Sequence, residues 1–204
     1  MVAIRNMVRK WMRALARLLD RASGGRIHPN TVTIFGFLMH VPIALLIATK
    51  HNLWAAALLI IFGLFDALDG ELARLQNRAS VRGMLLDAST DRFKEVLLYS
   101  GAAYTLALSD RPATAAWAVG ACGASLSVSY VKAKGEAAIA SGGKAIPHAA
   151  LNRMFADGLL TFEVRMFVLV VGLLANQLAI AVAVVAVLAS YTALQRLTRI
   201  TQKI

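Results

Sequence analysis

Four aspartates in a mostly apolar chain are the residues with the clearest chemistry. Asp66 and Asp69 are three positions apart, and Asp87 and Asp91 are four apart. Both spacings put the pair on one face of its helix. Apolar runs of membrane-spanning length flank the stretch, and an aspartate near the centre of a membrane helix costs roughly 2.5–3.5 kcal/mol. No His or Cys lies within it. The set is therefore oxygen-only, which suits Mg²⁺, Mn²⁺ or Ca²⁺ over zinc or copper. More than two carboxylates can hold two such ions, the arrangement that stabilises both attacking and leaving oxygens in displacement at phosphorus.

The residues between the acids fit that chemistry. Gly70 removes a side chain where a phosphate or nucleotide must approach closely. Ala73 keeps the same face open one turn later, and Arg74 offers a planar donor fork for phosphate oxygens. Gly83 lets two helix ends come close. In a purely structural reading the aspartates would only pair with Arg74, Arg82, Arg92 and Lys94, which leaves four acids in register with small residues unexplained.

The elements that carry these residues are membrane helices. Of 204 residues, 58% are hydrophobic and 16% charged, against about 45–50% and about 25% in soluble domains. Residues 2–20 read as an amphipathic helix: Ile4, Met7 or Val8, Trp11, Leu15 and Leu18 recur at helical spacing, opposite Arg5, Arg9, Arg13 and Arg17. Such a helix lies in the membrane interface with its basic side towards anionic headgroups. Ser23-Gly24-Gly25 ends it.

Six spans follow, at about 29–49, 54–69, 83–108, 113–131, 159–174 and 177–194. Asn30 or Thr31 is the expected cap of the first. Lys132, Lys134, Glu136, Lys144, Pro147 and Arg153 fall in a longer connection, and Arg196, Arg199 and Lys203 in a basic tail. The chain thus divides into an amphipathic helix and linker, 1–27, and a six-helix membrane domain, 28–204.

Charge fixes the expected topology. With the N-terminus inside, every Lys and Arg except Lys50 and Arg111 falls on the inner side, so both termini are cytoplasmic. Trp54, Tyr104 and Trp117 then form an outer aromatic belt, and the acidic stretch faces the cytoplasm from the cell (inner) membrane. The formal charge of +11 serves topology and anionic lipid or phosphorylated substrates, because no nucleic-acid motif accompanies it. No cleavable signal peptide is expected, since the first strong apolar run follows a long basic segment. Cys122, the single cysteine, reads as a small buried hydrophobe. A divalent-cation carrier would need its acids near the bilayer midplane on a continuous polar route, and no such track continues through spans five and six.

The pattern Asp-x2-Asp-Gly-x2-Ala-Arg-x8-Gly-x3-Asp-x3-Asp, at Asp66, Asp69, Gly70, Ala73, Arg74, Gly83, Asp87 and Asp91, resembles the signature of the CDP-alcohol phosphatidyltransferase family. The resemblance implies transfer of a phosphatidyl group from CDP-diacylglycerol to an alcohol, with release of CMP. It implies two Mg²⁺ ions (or Mn²⁺) held by Asp66, Asp69, Asp87 and Asp91, with Asp91 also the general base. It also implies a nucleotide pocket shaped by Asn30, Thr33, Asp66, Gly70, Ala73, Arg74, Ser80 and Gly83, and a homodimer in the membrane.

Within the family, Asp87-Ala88-Ser89-Thr90-Asp91-Arg92, Ser129-Tyr130-Val131-Lys132-Ala133-Lys134 and Gln195-Arg196-Leu197 are similar to the bacterial and archaeal enzymes that use inositol phosphate. That similarity implies an acceptor-phosphate pocket of Lys132, Lys134, Arg153 and Arg196. Those relatives often carry Arg-Pro-Glu-Arg where this chain has Phe162-Glu163-Val164-Arg165. Another polyol phosphate, or an unphosphorylated alcohol, therefore stays open as the acceptor.

Overall fold

A computed structural model of the chain describes residues 2–141 and 160–202. Among these it is helical, in the order α1 (Val2–Ser23), α2 (Pro29–Leu38), α3 (His40–Ala48), α4 (Asn52–Gly63), α5 (Phe65–Leu75), α6 (Val81–Ala107), α7 (Ala115–Ser141), α8 (Phe162–Leu174) and α9 (Leu178–Thr201). A short 3₁₀ turn, Pro112–Thr114, precedes α7.

Four stretches are long and apolar enough to cross a membrane: Pro29–Ala48, Asn52–Leu75, Pro112–Ile139 and Leu178–Thr201. The first joins α2 to α3 through a break at Met39. Pro42 explains the break, because it brings no backbone donor and its ring crowds the carbonyl four residues back. The second joins α4 to α5 at Leu64, whose amide bonds to the Ile61 carbonyl in a tightened turn after Gly63. The 27 residues of α6 would span the roughly 30 Å of a bilayer core, but its first half is charged. The 13 residues of α8 rise only about 20 Å.

Three expectations are corrected. Lys132, Lys134 and Glu136 lie on α7, not in a connection. Alanine, lysine and glutamate are good helix formers whatever the polarity outside, and Lys132 and Glu136 form a pair one turn apart at 3.8 Å. Arg196 and Arg199 likewise belong to α9, not to a tail. The cap of α2 also differs: His28 Nδ1 accepts from the Asn30 amide, with Pro29 at the first helical position.

The main core lies among α3, α4, α6, α7, α8 and α9, around Ile43, Leu98, Val128, Leu169 and Val182. The α3–α6 crossing is close. A Cβ at Gly101 would stand 2.4 Å from the Ala44 carbonyl oxygen, and Thr105 Oγ1 donates to the Ile47 carbonyl at 2.5 Å. A smaller core seats α1 on α5, through Met12, Ala16, Val32, Leu68 and Leu72. The expected apolar stripe of α1 thus divides: Met12 and Ala16 pack inward, while Met7, Trp11, Leu15 and Leu18 stay exposed. Arg13, still exposed, reaches buried Glu71 on α5, its Nε donating to Glu71 Oε2 at 3.0 Å.

Asn52 Nδ2 donates to Asn176 Oδ1 at 2.9 Å, bringing the α3–α4 and α8–α9 turns to one end of the bundle. The α5–α6 link lies a helix length away, at the other end. That is where the acids are.

Candidate active site

Helix α5 ends in a left-handed cap at Asn77 (φ 54°), where the Arg78 amide bonds to the Ala73 carbonyl at 2.9 Å. Gln76 ties the cap to α1, its Nε2 donating to Asp20 Oδ1 at 2.7 Å and to the Ile27 carbonyl at 3.0 Å. Three residues later Ser80 starts α6 as its N-cap, Oγ accepting from the Gly83 amide at 3.1 Å. So short a link makes α5 and α6 antiparallel neighbours, and their inward faces present the aspartates to each other.

Asp66, Asp69 and Asp87 each bring a carboxylate oxygen within 4.8 Å of the others. Asp69 is buried and is held from α2 by Thr33, whose Oγ1 donates to Asp69 Oδ2 at 2.5 Å. Asp87 Oδ1 is buried without a hydrogen-bond donor. Three hard oxygen donors, one of them unmatched, fit a divalent cation such as Mg²⁺ or Mn²⁺. Asp91 stands outside this triad. Its Oδ1 accepts from Lys94 Nζ at 3.0 Å, and the same ammonium donates to Asp66 Oδ1 at 2.5 Å.

Of the residues expected around a nucleotide, Asn30, Ser80 and Gly83 come together. A Cβ at Gly83 would stand 3.3 Å from Asn30 Oδ1 and 3.4 Å from Ser80 Oγ, so glycine keeps that corner open. Gly70 leaves room beneath the guanidinium of Arg74, 3.6 Å from where its Cβ would be. Ala73 is half-buried on the same helix. Arg74 donates to Glu71 Oε1 at 2.8 Å, so buried Glu71 holds Arg74 and Arg13 together. The hydroxyl of Thr33 is committed to Asp69.

The acceptor-side residues are spread more widely. Arg196 is buried and donates to the Val128 carbonyl at 3.1 Å, across α9 and α7. Lys132 turns to Glu136, and Lys134 Nζ lies 5.8 Å over the Tyr130 ring. Arg153 lies outside the described residues.

A second polar cluster forms where α6, α7 and α8 meet. Glu95, fully buried, accepts from Arg165 Nε at 2.7 Å and from Arg92 NH1 at 2.6 Å. Arg92 also donates to Ser129 Oγ, and Arg165 to the Leu160 carbonyl at 3.0 Å. Both guanidiniums lie over Phe162, at 5.3 and 5.9 Å. Sequence reasoning missed Glu71 and Glu95, and weighed Lys94 only as an ion-pair partner. The signal it used for the aspartates, a charge inside an apolar helix, marks them equally.

Among the described residues this is an all-helical scaffold with stretches of membrane-spanning length and a carboxylate triad that could hold a divalent ion. The sequence pattern of CDP-alcohol phosphatidyltransferases matches residues 26–193, and the chain belongs to that family. It is a multi-pass membrane protein. It is similar to the phosphatidylinositol phosphate synthase of Corynebacterium glutamicum, 39% identical over 115 residues, or 55% of this chain and 52% of that one. The synthase of Mycobacteroides abscessus is 36% identical over 111 residues, 53% of this chain and 50% of its own. The chain thus spans about half the length of these curated relatives.

Solved structures of the phosphatidylinositol phosphate synthase of Mycobacterium tuberculosis share the fold at 26% identity. The form with CDP-DAG bound gives a TM-score of 0.76, covering 93% of this chain and 92% of that one. The complex with manganese and citrate gives 0.77, covering 93% and 88%.

Proposed function

We propose that this protein transfers a phosphatidyl group from CDP-diacylglycerol to an alcohol, releasing CMP, and that the acceptor is inositol phosphate. The observation that carries the reading is the oxygen triad of Asp66, Asp69 and Asp87 with Asp91 beside it, inside the segment that matches the family. The acceptor follows from the relatives named phosphatidylinositol phosphate synthase and from buried Arg196.

In this reading Asp66, Asp69 and Asp87 hold Mg²⁺ or Mn²⁺. A divalent ion bound there neutralises the pyrophosphate and the charge growing on the leaving phosphate. Arg74 binds a phosphate oxygen through its fork, while Asn30, Ser80, Gly70, Ala73 and Gly83 shape the cytidine pocket. Thr33 orients Asp69 towards the ion. Asp91 takes the proton from the acceptor hydroxyl as its oxygen attacks the lipid-bearing phosphorus. The bond from that phosphorus to the CMP oxygen breaks, and CMP leaves with the electron pair. Lys132, Lys134, Arg153 and Arg196 receive the acceptor phosphate.

The same reading places residues 28–204 in the cell membrane as six spans, α6 and α8 adding to the four apolar stretches. Both termini and the site face the cytoplasm, residues 1–27 lie at the interface, and the protein works as a homodimer. An acceptor screen tests the reaction. Purified protein receives CDP-diacylglycerol with inositol phosphate, glycerol phosphate, inositol, serine or glycerol, and CMP release is followed. Release that depends on divalent metal and is fastest with inositol phosphate is expected. Release with glycerol phosphate alone would reassign the acceptor, and none with any alcohol would overturn the reaction.

A further inference from the structure

Helix α5 carries three acids, and the reaction above uses Asp66 and Asp69 but not Glu71. Glu71 is buried, with 4% exposure, and accepts from two arginines on different helices: Arg74 NH2 at 2.8 Å on α5 and Arg13 Nε at 3.0 Å on α1. We propose that Glu71 and Arg13 are positioning residues for the nucleotide, a clasp through which α1 sets the Arg74 guanidinium for the phosphates of the CDP-lipid. This rests on the assignment of Arg74 to those phosphates and extends the site to a helix that carries none of the aspartates.

Orientation is the first part of the effect. A Cβ at Gly70 would lie 3.6 Å from Arg74 NH2, so the clasp holds the guanidinium over the glycine that follows buried Asp69. Arg74 uses NH2 on Glu71 Oε1, and its other N–H groups stay available, since the side chain is 57% exposed.

Charge is the second part. A carboxylate shared with Arg74 alone would neutralise it, and a phosphate would have to compete for the same cation. Arg13 binds the other oxygen, Oε2, so two guanidiniums on one carboxylate leave a net positive charge beside the site. Arg13 stands on a fixed base: its neighbours on the inner face, Met12 and Ala16, pack with Leu68 and Leu72, and Asp20 accepts from Gln76 at the end of α5. Ion pairs whose cations are this exposed add little to stability, so the clasp should act on affinity and not on folding.

A double-mutant cycle tests the clasp. The KM for CDP-diacylglycerol, kcat and the dissociation constant of CDP are measured on the purified full chain in detergent. Arg13→Met is expected to raise KM and the CDP dissociation constant roughly 3- to 30-fold, a coupling usual between contacting residues, with kcat and melting temperature unchanged. Arg13→Lys, which keeps a charge and a donor, should recover part of the loss. In an Arg74→Met background, adding Arg13→Met should change neither constant further. Full additivity there would overturn the proposal, as would wild-type constants in Arg13→Met. Arg17→Met makes the same charge change at an exposed position one turn along α1 and should leave both constants unchanged; a rise equal to that of Arg13→Met would overturn the clasp and assign the effect to the charge of the helix. If Arg74→Met binds CDP as tightly as the wild type, the phosphate role of Arg74 fails and the clasp with it. If the wild type binds no CDP, the nucleotide reading itself fails.

Discussion

Replacing Thr33 by valine keeps the outline of the side chain and removes the hydroxyl that donates to Asp69 at 2.5 Å. Thr33 and Asp69 are both buried, at 4% and 6% exposure, so bulk water does not readily replace the lost donor. A hydrogen bond to a charged group contributes about 1.5–3 kcal/mol. At about 1.4 kcal/mol per tenfold, that corresponds to roughly a 10- to 100-fold weaker metal affinity, the size expected when the partner that orients a ligand is lost. The assay is a Mn²⁺ titration of wild type, Thr33→Val and Thr33→Ser, alongside the KM for CDP-diacylglycerol. Thr33→Val should lose metal affinity, and Thr33→Ser, which keeps the donor, should recover most of it. Unchanged Mn²⁺ affinity with a raised KM for the CDP-lipid would refute the reasoning and make Thr33 a nucleotide contact.

Three further outcomes follow from the same contacts. Asp91→Asn should lower CMP release by about 10²–10⁴-fold, the range for a lost general base, while Mn²⁺ binding stays within a few-fold of wild type; normal turnover would remove Asp91 from its role. Arg165→Met strips one partner from fully buried Glu95 and should destabilise the protein by about 3–5 kcal/mol. Thermal unfolding in detergent reads the loss, and the double variant with Glu95→Leu should recover part of it. Gly101→Ala would drive a Cβ to 2.4 Å from the Ala44 carbonyl oxygen and should cost roughly 1–3 kcal/mol. Gly63→Ala, with nothing within 4 Å, should be neutral or gain up to about 1 kcal/mol. Equal melting temperatures for the two glycine variants would contradict the close α3–α6 crossing.

The parts of the site legible in the sequence are those written along a single helix. Asp66 with Asp69, and Asp87 with Asp91, announce a shared face because helical spacing is local, and the short link to Ser80 implies that the two faces meet. Contacts across helices are not legible in the same way. Thr33 and Asp69 are 36 positions apart, Asp66 and Lys94 are 28, and Glu95 and Arg165 are 70. Which side of one helix meets which side of another depends on crossing angle and rotation, set by the whole core. The ends of α7 and α9 differ from expectation for another reason. A run of polar residues suggests the end of a helix, whereas it marks at most the end of the apolar environment, and Lys132, Lys134 and Arg196 continue the backbone ladder.

Helix α6 shows why a span can be polar and still belong to the core. Successive residues on it turn by about 100°, so Asp91 and Arg92, and Lys94 and Glu95, point to adjacent sectors. One sector, with Asp87, Asp91 and Lys94, meets the acids of α5; the next, with Arg92 and Glu95, meets Ser129 on α7 and Arg165 on α8. Arg92 joins the two, lying 3.8 Å from Asp91 Oδ2 as well as on Glu95. Four of the charges that keep α6 below the apolarity of a membrane helix, Asp91, Arg92, Lys94 and Glu95, are therefore paired inside the bundle, where their desolvation is offset by close partners. Because Arg92 touches both sectors, a disturbance at Glu95 or Arg165 has a direct route to Asp91. In the proposed reaction, the contacts on the α8 side and the carboxylate that takes the proton are thus joined through one side chain, Arg92.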